Sequence, residues 1–256
     1  MNYLAEKEQI VNLFNNCPFT IDGLKLIEDH TSRLWAKFRH IENVASLMES
    51  SGDIAGLSEK EKLMAFTIGQ FHDIACINDI ALTGKEYGPK HGARGAVITF
   101  GLLLEFYKGF DRSEAKIIAT AIANHDGKNS DPNLTGLTGI LTSMLRDCDK
   151  IDCYRRQSTE PLENVFQRPL RFNANIRPEF ANRCLSGEPI DYAEMQNFNE
   201  EALLYLGWFF QLKNSACKKM AMPLFESLAK RVLNTTEDSV TKLYVDKFLD
   251  KAKSTN

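Results

Sequence analysis

The sequence predicts an all-α protein, and three observations lead to this prediction. Apolar residues recur at helical spacing along most of the 256 residues. No run of alternating apolar and polar residues is long enough to predict a sheet. Helix-starting sequences recur, in which Ser or Asp precedes Glu by three residues. We therefore expect a compact helical bundle with a C-terminal helical extension.

Helix starts in the first half of the chain are marked by capping residues. Ser58 and Glu61 have the spacing of a capping box. Asp111 and Glu114 repeat this spacing, and Pro89 suits a first helical turn. In this half we predict helices at residues 3–15, 21–30, 32–50, 58–74, 89–107, 112–125 and 135–157.

Two irregular stretches interrupt the helical pattern. Residues 129–136 are rich in Asn, Asp, Pro and Gly, and residues 157–175 contain two prolines. The second stretch separates a core with N-terminal helices, 1–156, from an extension, 157–256, which we expect to pack on the core. The extension has no histidine, and its helices are predicted at 178–186, 192–211, 216–234 and 237–252. Its dense apolar run comprises Leu203, Leu204, Leu206, Trp208, Phe209, Phe210 and Leu212.

Composition argues against several classes of protein. A net charge of -3 and a pI of about 6.0 provide no basic field, so we expect no obligate nucleic-acid partner. No stretch reaches the about 20 apolar residues of a membrane span, and residues 1–16 lack the apolar core of a signal peptide. We expect a cytoplasmic protein without a membrane partner. The six cysteines form no CxxC pair, which favours reduced thiols over a zinc ribbon.

The histidines all fall in the first half of the chain. They are His30, His40, His72, His91 and His125. A lone histidine is more often a structural ring, and His30 is interpreted in this way. The set as a whole favours a metal site, because imidazole with neighbouring carboxylates suits divalent Mn, Fe, Co, Ni, Zn or Mg. These ligand types do not distinguish among the ions.

The adjacent pair His72 and Asp73 is the most informative feature. Neighbouring helical residues point about 100° apart, so both can reach one ion only near a helix end. Asn78 and Asp79, a few residues later, predict a turn and hence such an end. We therefore expect both side chains to be metal ligands.

These residues resemble the HD domain superfamily of metal-dependent phosphohydrolases over about residues 20–156. The family pattern is a His, then His-Asp, then a distant Asp, and this chain matches it in order. The resemblance implies an HD-type helical bundle with a first metal ion and open positions for water and substrate. The matching ligands are His40, His72, Asp73 and Asp149.

His91 and His125 resemble a longer version of the pattern. In relatives with that version, histidines at these places hold a second metal ion or contact the substrate phosphate. Many two-metal relatives have a His-His pair where this chain has Asn124 and His125. The number of metal ions, one or two, is therefore left open.

The resemblance implies hydrolysis of a phosphate ester by a metal-activated water. Asp73, His91, His125 and Lys150 are the predicted catalytic residues. Phosphate binding is assigned to the basic residues nearest in sequence to the ligands, namely Arg94, Lys128, Arg146 and Lys150. Ordinary solvated surface is the alternative for each of these four cations.

The expected substrate is a small phosphorylated molecule such as a nucleotide, a phosphomonoester or a phosphodiester. The sequence has no phosphate-binding loop motif to narrow this choice. Two other functions fit the same residues: a catalytically inactive metal- or nucleotide-binding regulatory module, and a di-iron oxygenase of the HD type. The oligomeric state is not predicted.

Overall fold

The computed structural model describes residues 2–17, 27–83, 90–127, 131–166 and 168–254. Within these residues the regular structure is helical, and no strand occurs among them. The predicted all-α class is therefore confirmed. Contacts divide the chain into two compact units, Met1–Cys148 and Asp149–Asn256.

The helices of the first unit surround a core of aliphatic and aromatic side chains. They are α1 (Tyr3–Asn15), α2 (Ile27–Ile54), α3 (Glu59–Phe71), α4 (Ile74–Thr83), α5 (His91–Phe106), α6 (Arg112–Ala123) and the first part of α7 (Gly136–Thr159). Helix α3 packs against α1, α2 and α6, while α5 packs against α4 and α6. This arrangement places α2, α3 and α6 side by side.

Both predicted capping boxes are confirmed. The Ser58 hydroxyl accepts from the Glu61 amide at 3.3 Å, and the Glu61 carboxylate accepts from the Ser58 amide at 2.8 Å. Asp111 and Glu114 exchange the equivalent bonds at 2.9 and 2.8 Å. These reciprocal bonds satisfy amides that the first helical turn leaves without partners.

Several predicted features of the first unit differ from the structure. Residues 27–54 form one helix, α2, where two helices were predicted to meet near residue 31, because no Gly or Pro interrupts the periodicity there. The turn predicted at Asn78 and Asp79 is wrong, since α4 continues through both residues. Helix α5 begins at His91, after Lys90 in the left-handed conformation at φ 56°, and Pro89 lies outside the described residues.

The second unit contains the rest of α7, α8 (Leu162–Val165), α9 (Pro178–Ser186), α10 (Phe198–Gly207), α11 (Ser215–Thr235) and α12 (Ser239–Ser254). Helix α10 is buried along its whole length and packs against α9, α11 and α12. The single helix predicted at 192–211 is wrong. It is divided into two 3₁₀ turns and α10, because the Asn197 side chain caps a new start by accepting from the Glu200 amide at 3.0 Å.

The predicted boundary between residues 156 and 157 and the division after Cys148 both fall on α7. In the second unit, Leu203, Leu204 and Leu206 from the predicted apolar run are fully buried. Among the described helices, none combines the length and apolarity needed to cross a bilayer.

Candidate metal centre

Five predicted site residues lie together in the first unit. His40 lies within α2, while His72 and Asp73 occupy the short break between α3 and α4. His91 is the first residue of α5, and His125 follows the end of α6. Helix ends thus supply four of the side chains, as expected for an adjacent His-Asp pair that has to share one site.

Asp73 divides the cluster into two ligand groups. Its Oδ2 atom lies 3.6 Å from His40 Nε2 and 3.5 Å from His72 Nε2. Its Oδ1 atom lies 3.6 Å from His91 Nε2 and 3.5 Å from His125 Nε2. In each group the three potential ligand atoms lie within 4.8 Å of one another. We call these the first group (His40, His72 and Asp73) and the second group (Asp73, His91 and His125).

The spacing in the first group suits a single ion. Atoms bound at about 2.0–2.1 Å to one tetrahedral ion lie about 3.3 Å apart. The Nε2 atoms of His40 and His72 are 3.2 Å apart, and both lie at comparable distances from the Asp73 carboxylate. The group could therefore hold a metal ion with little movement of these side chains.

Backbone carbonyls fix the orientation of two imidazole rings. His72 Nδ1 lies 2.8 Å from the Gly69 carbonyl, and His125 Nδ1 lies 2.7 Å from the Ile122 carbonyl. A carbonyl only accepts, so each Nδ1 carries a proton, and each ring turns toward Asp73 its Nε2 atom, the nitrogen that would hold the lone pair of the neutral ring. A lone pair facing a carboxylate oxygen is favourable when a cation lies between them. A metal ion requires this arrangement, with the proton on Nδ1 and the lone pair on Nε2.

A lysine contacts the same carboxylate. The Nζ atom of Lys37, one helical turn before His40, lies 2.8 Å from Asp73 Oδ2, and Lys37 is only 1% exposed. Burial alone would raise the pKa of Asp73, but the Lys37 ammonium, together with interactions with His72 and His125, holds that pKa well below its usual range. Asp73 is therefore ionised near neutral pH, as a metal ligand has to be.

A second carboxylate lies behind His91. Asp126 Oδ2 is 3.3 Å from His91 Nδ1 and accepts from the Gly92 amide at 3.0 Å. This contact leaves His91 Nε2 directed at Asp73. Burial lowers the pKa of His91, which favours the neutral ring that binds metals. Asp126 thus orients a member of the second group in the way that outer carboxylates orient metal-binding histidines.

Two helices approach closely beside the first group. A Cβ atom built on Gly69 would lie 2.5 Å from the Cα atom of Ala45, so only glycine fits against α2 at this position. Gly69 is also the residue whose carbonyl holds His72. The short distance between α2 and α3 therefore brings the ring of His40 to that of His72.

The predicted substrate-binding cations have varied surroundings. Arg94 forms a bidentate ion pair with Asp79, and Arg146 Nη1 donates to the carbonyls of Asn124 and His125 at 3.1 and 3.0 Å. Arg146 therefore holds the turn that carries His125. Lys128 lies outside the described residues. Phosphate binding by these cations stays a prediction.

Asp149 and Lys150 are half-buried residues of α7 at the start of the second unit. The roles predicted for them, a metal ligand and a catalytic or phosphate-binding cation, also stay predictions. The fifth histidine, His30, lies on α2, and its side chain is outside the described residues.

Two residues of the centre were not predicted from the sequence. Lys37 precedes His40 by three positions, the spacing at which helical side chains share a face. Asp126 directly follows His125. Both signals were present but weak, because lysines on helices and acidic residues in turns usually face solvent.

Comparisons of the chain with protein-family models, with curated proteins and with solved structures found no match. The conclusions about this centre therefore depend on its own geometry. The chain is a helical protein with a buried His/Asp cluster that could hold a metal ion.

Proposed function

We propose that this chain is a metal-dependent phosphohydrolase that acts on a small phosphate ester. The observation that carries the proposal is the position of Asp73, which is 3% exposed and directs one oxygen at each of two histidine pairs. A carboxylate with this arrangement can bind one ion or bridge two. Paired divalent ions that share ligands are a recurring device of phosphoryl-transfer enzymes.

The donor set fits a divalent ion of the borderline to hard class. Each group combines two imidazole nitrogens with a carboxylate oxygen, which leaves positions for water and substrate. A divalent ion held there would polarise a phosphoryl group and lower the pKa of a bound water. Four protein ligands from Cys and His alone, typical of structural zinc sites, do not occur in either group.

The protein residues have separate tasks in this proposal. Carbonyls hold the rings of His72 and His125, and Asp126 holds that of His91, so the ligand atoms are in place before an ion arrives. Asp73 is the residue that would orient the attacking water. Hydrolysis breaks the phosphorus–oxygen bond to the leaving group and forms one to the water oxygen, while the leaving alcohol gains a proton.

Metal binding is tested by elemental analysis of protein purified without chelator. We expect bound divalent metal in the wild type, loss of most of it in His72→Ala, and loss of all of it in Asp73→Ala. Asp149→Ala tests the predicted fourth ligand, and His30→Ala serves as the histidine control. Circular dichroism checks that each variant is folded, because metal binding and folding are coupled. Metal content that is equal in all five proteins would contradict the site.

Hydrolysis is tested on phosphomonoesters, nucleotides, deoxynucleotides and cyclic dinucleotides with Mn²⁺, Co²⁺, Ni²⁺, Zn²⁺ or Mg²⁺ added. We expect metal-stimulated release of phosphate or nucleotide from part of this panel and none with Asp73→Ala. Metal-loaded protein that hydrolyses nothing in the panel would contradict the proposed activity. That result would still leave the metal site itself supported.

A further inference from the structure

Lys37 is an unusual component of a metal centre. Its ammonium is buried and contacts Asp73 Oδ2, the oxygen that His40 Nε2 and His72 Nε2 also face. A metal ion in the first group would take this oxygen as a ligand. Lysine has no lone pair to offer an ion while it is charged, so it competes for the oxygen rather than contributing to the ligand set.

The Lys37 ammonium also stabilises the Asp73 carboxylate when no metal ion is bound. A carboxylate as buried as Asp73 is costly when it has no cation beside it. Lys37 supplies that cation and keeps Oδ2 beside the two histidine nitrogens. The same contact that preserves the geometry in the metal-free protein therefore opposes an incoming ion, because two cations at one oxygen repel each other.

We propose that Lys37 is a placeholder for the metal ion: it holds Asp73 in the metal-free protein and gives up Oδ2 to an ion bound by the first group. This inference rests on the metal binding proposed above. It makes Lys37 a positioning residue that favours a folded metal-free state and weakens metal binding. Replacement of Lys37 should therefore lower the stability of the metal-free protein and raise its affinity for the metal ion.

The experiment compares Mn²⁺ affinity and thermal unfolding of chelator-treated wild type and Lys37→Met. We expect Lys37→Met to bind Mn²⁺ about tenfold more tightly, because the competing charge is gone. We also expect a lower unfolding temperature without metal and a larger rise on adding Mn²⁺. Titration calorimetry gives the affinity, and circular dichroism gives the unfolding temperature.

Two control variants separate local competition from other effects. Lys62→Met removes one positive charge from a lysine that is paired with Asp53 and Glu59, and it should leave the Mn²⁺ affinity unchanged. Lys37→Arg keeps the positive charge and should keep the affinity close to that of the wild type. If metal-free Lys37→Met does not fold, Lys37→Gln is tested, and protein purified with Mn²⁺ is assayed for the rate of metal loss to chelator.

The possible outcomes distinguish this inference from the proposal beneath it. Equal or weaker Mn²⁺ binding by Lys37→Met, with clear binding by the wild type, would overturn the placeholder role and leave the metal site standing. An equal gain in Mn²⁺ affinity in Lys62→Met would mean that the effect comes from net charge alone. That result would also overturn the placeholder role. No binding of Mn²⁺ or Co²⁺ by any of these proteins would overturn the metal site, and the placeholder role with it.

Discussion

Asp126 lies outside both ligand groups yet contacts His91, and it contacts no other histidine among the described ion pairs. Replacement by Asn keeps the shape of the side chain and removes the charge that holds His91 Nδ1. We expect Asp126→Asn to weaken metal binding at the second group about 10-fold to 100-fold, the usual cost of losing an outer partner. Binding at the first group should change little, and titration calorimetry should resolve the two steps.

The control for this change is Asp53→Asn, which removes a carboxylate that pairs with Lys62 at the surface. It should alter neither binding step. Equal weakening of both steps in Asp126→Asn would mean that Asp126 supports the whole centre. An unchanged titration would mean that the backbone alone orients His91.

Individual site residues could be predicted from the sequence where they belong to a local motif. His72 and Asp73 are adjacent, and His40, His91 and His125 were selected by their resemblance to a family pattern, so no tertiary information was needed. Lys37 is different, because its burial depends on how α2 packs against α3. Nothing in its local sequence separates it from a solvated lysine.

At the scale of elements, the close approach of α2 and α3 depends on Gly69. A methyl group there would meet the backbone of Ala45, which cannot move aside without moving the helix. We expect Gly69→Ala to lower the free energy of unfolding by about 1–3 kcal/mol, as for other overpacked sites. Metal affinity should fall as well, because α2 carries His40. Urea unfolding followed by circular dichroism and metal titration measure the two effects.

Gly101 provides the matched control on α5. A Cβ atom there meets nothing within 4 Å, and its site is exposed. Gly101→Ala should therefore stabilise the protein by about 0.5–1 kcal/mol through the higher helix propensity of alanine. Stabilisation by Gly69→Ala as well would show that the helices can separate without cost, contrary to this explanation.

Helices were predicted best where capping chemistry is local. The starts after Ser58 and Asp111 were found because each side chain bonds an amide within its own first turn. The continuation of α4 through Asn78 and Asp79 was missed. These residues favour turns in isolation, but burial of residues 74–77 and of Ile80, together with the pair of Asp79 with Arg94, outweighs that preference.

At the scale of the whole molecule, the two units depend on different polar groups. The first unit contains the histidine cluster, and the second contains the buried carboxylate of Glu200. Glu200 accepts from Arg177 Nε at 2.7 Å, from Arg177 Nη2 at 2.9 Å and from the Gln196 amide at 2.9 Å. Burial opposes the charge, but these hydrogen bonds hold the pKa of Glu200 below its usual range.

A lowered pKa makes the contribution of Glu200 dependent on pH. Its stabilising effect is complete above the pKa of an unfolded glutamate, about 4.3, and is lost as the pH falls through the lower folded value. We expect Glu200→Gln to be less stable than the wild type by about 1–3 kcal/mol at pH 7, since hydrogen bonds to a charged group are lost. The difference should shrink as the pH falls below about 4.

Urea unfolding followed by circular dichroism between pH 7 and pH 3 measures this difference. Glu226→Gln, at an exposed position of α11, should match the wild type at every pH. A stability difference between Glu200→Gln and the wild type that is constant over this range would contradict the assigned role of the Glu200 charge.

The fold class of the whole molecule was predictable because helical periodicity persists through both units. The division of the chain was harder to predict, since α7 continues through the point at which the contacts divide. Periodicity reports which residues face a core, but it does not report which core they face. Asp149 and Lys150 lie on α7 directly after this point, and the roles predicted for them stay predictions.

Asp73 offers one negative charge to two histidine pairs. In the proposed centre, an ion held by the first group would withdraw electron density from the shared carboxylate, so the two groups would not fill as independent sites. Thermodynamic linkage requires that each ion change the affinity of the other by the same factor. The two steps of metal binding should therefore be coupled, and the spacing between them reports the sign of the interaction across one carboxylate.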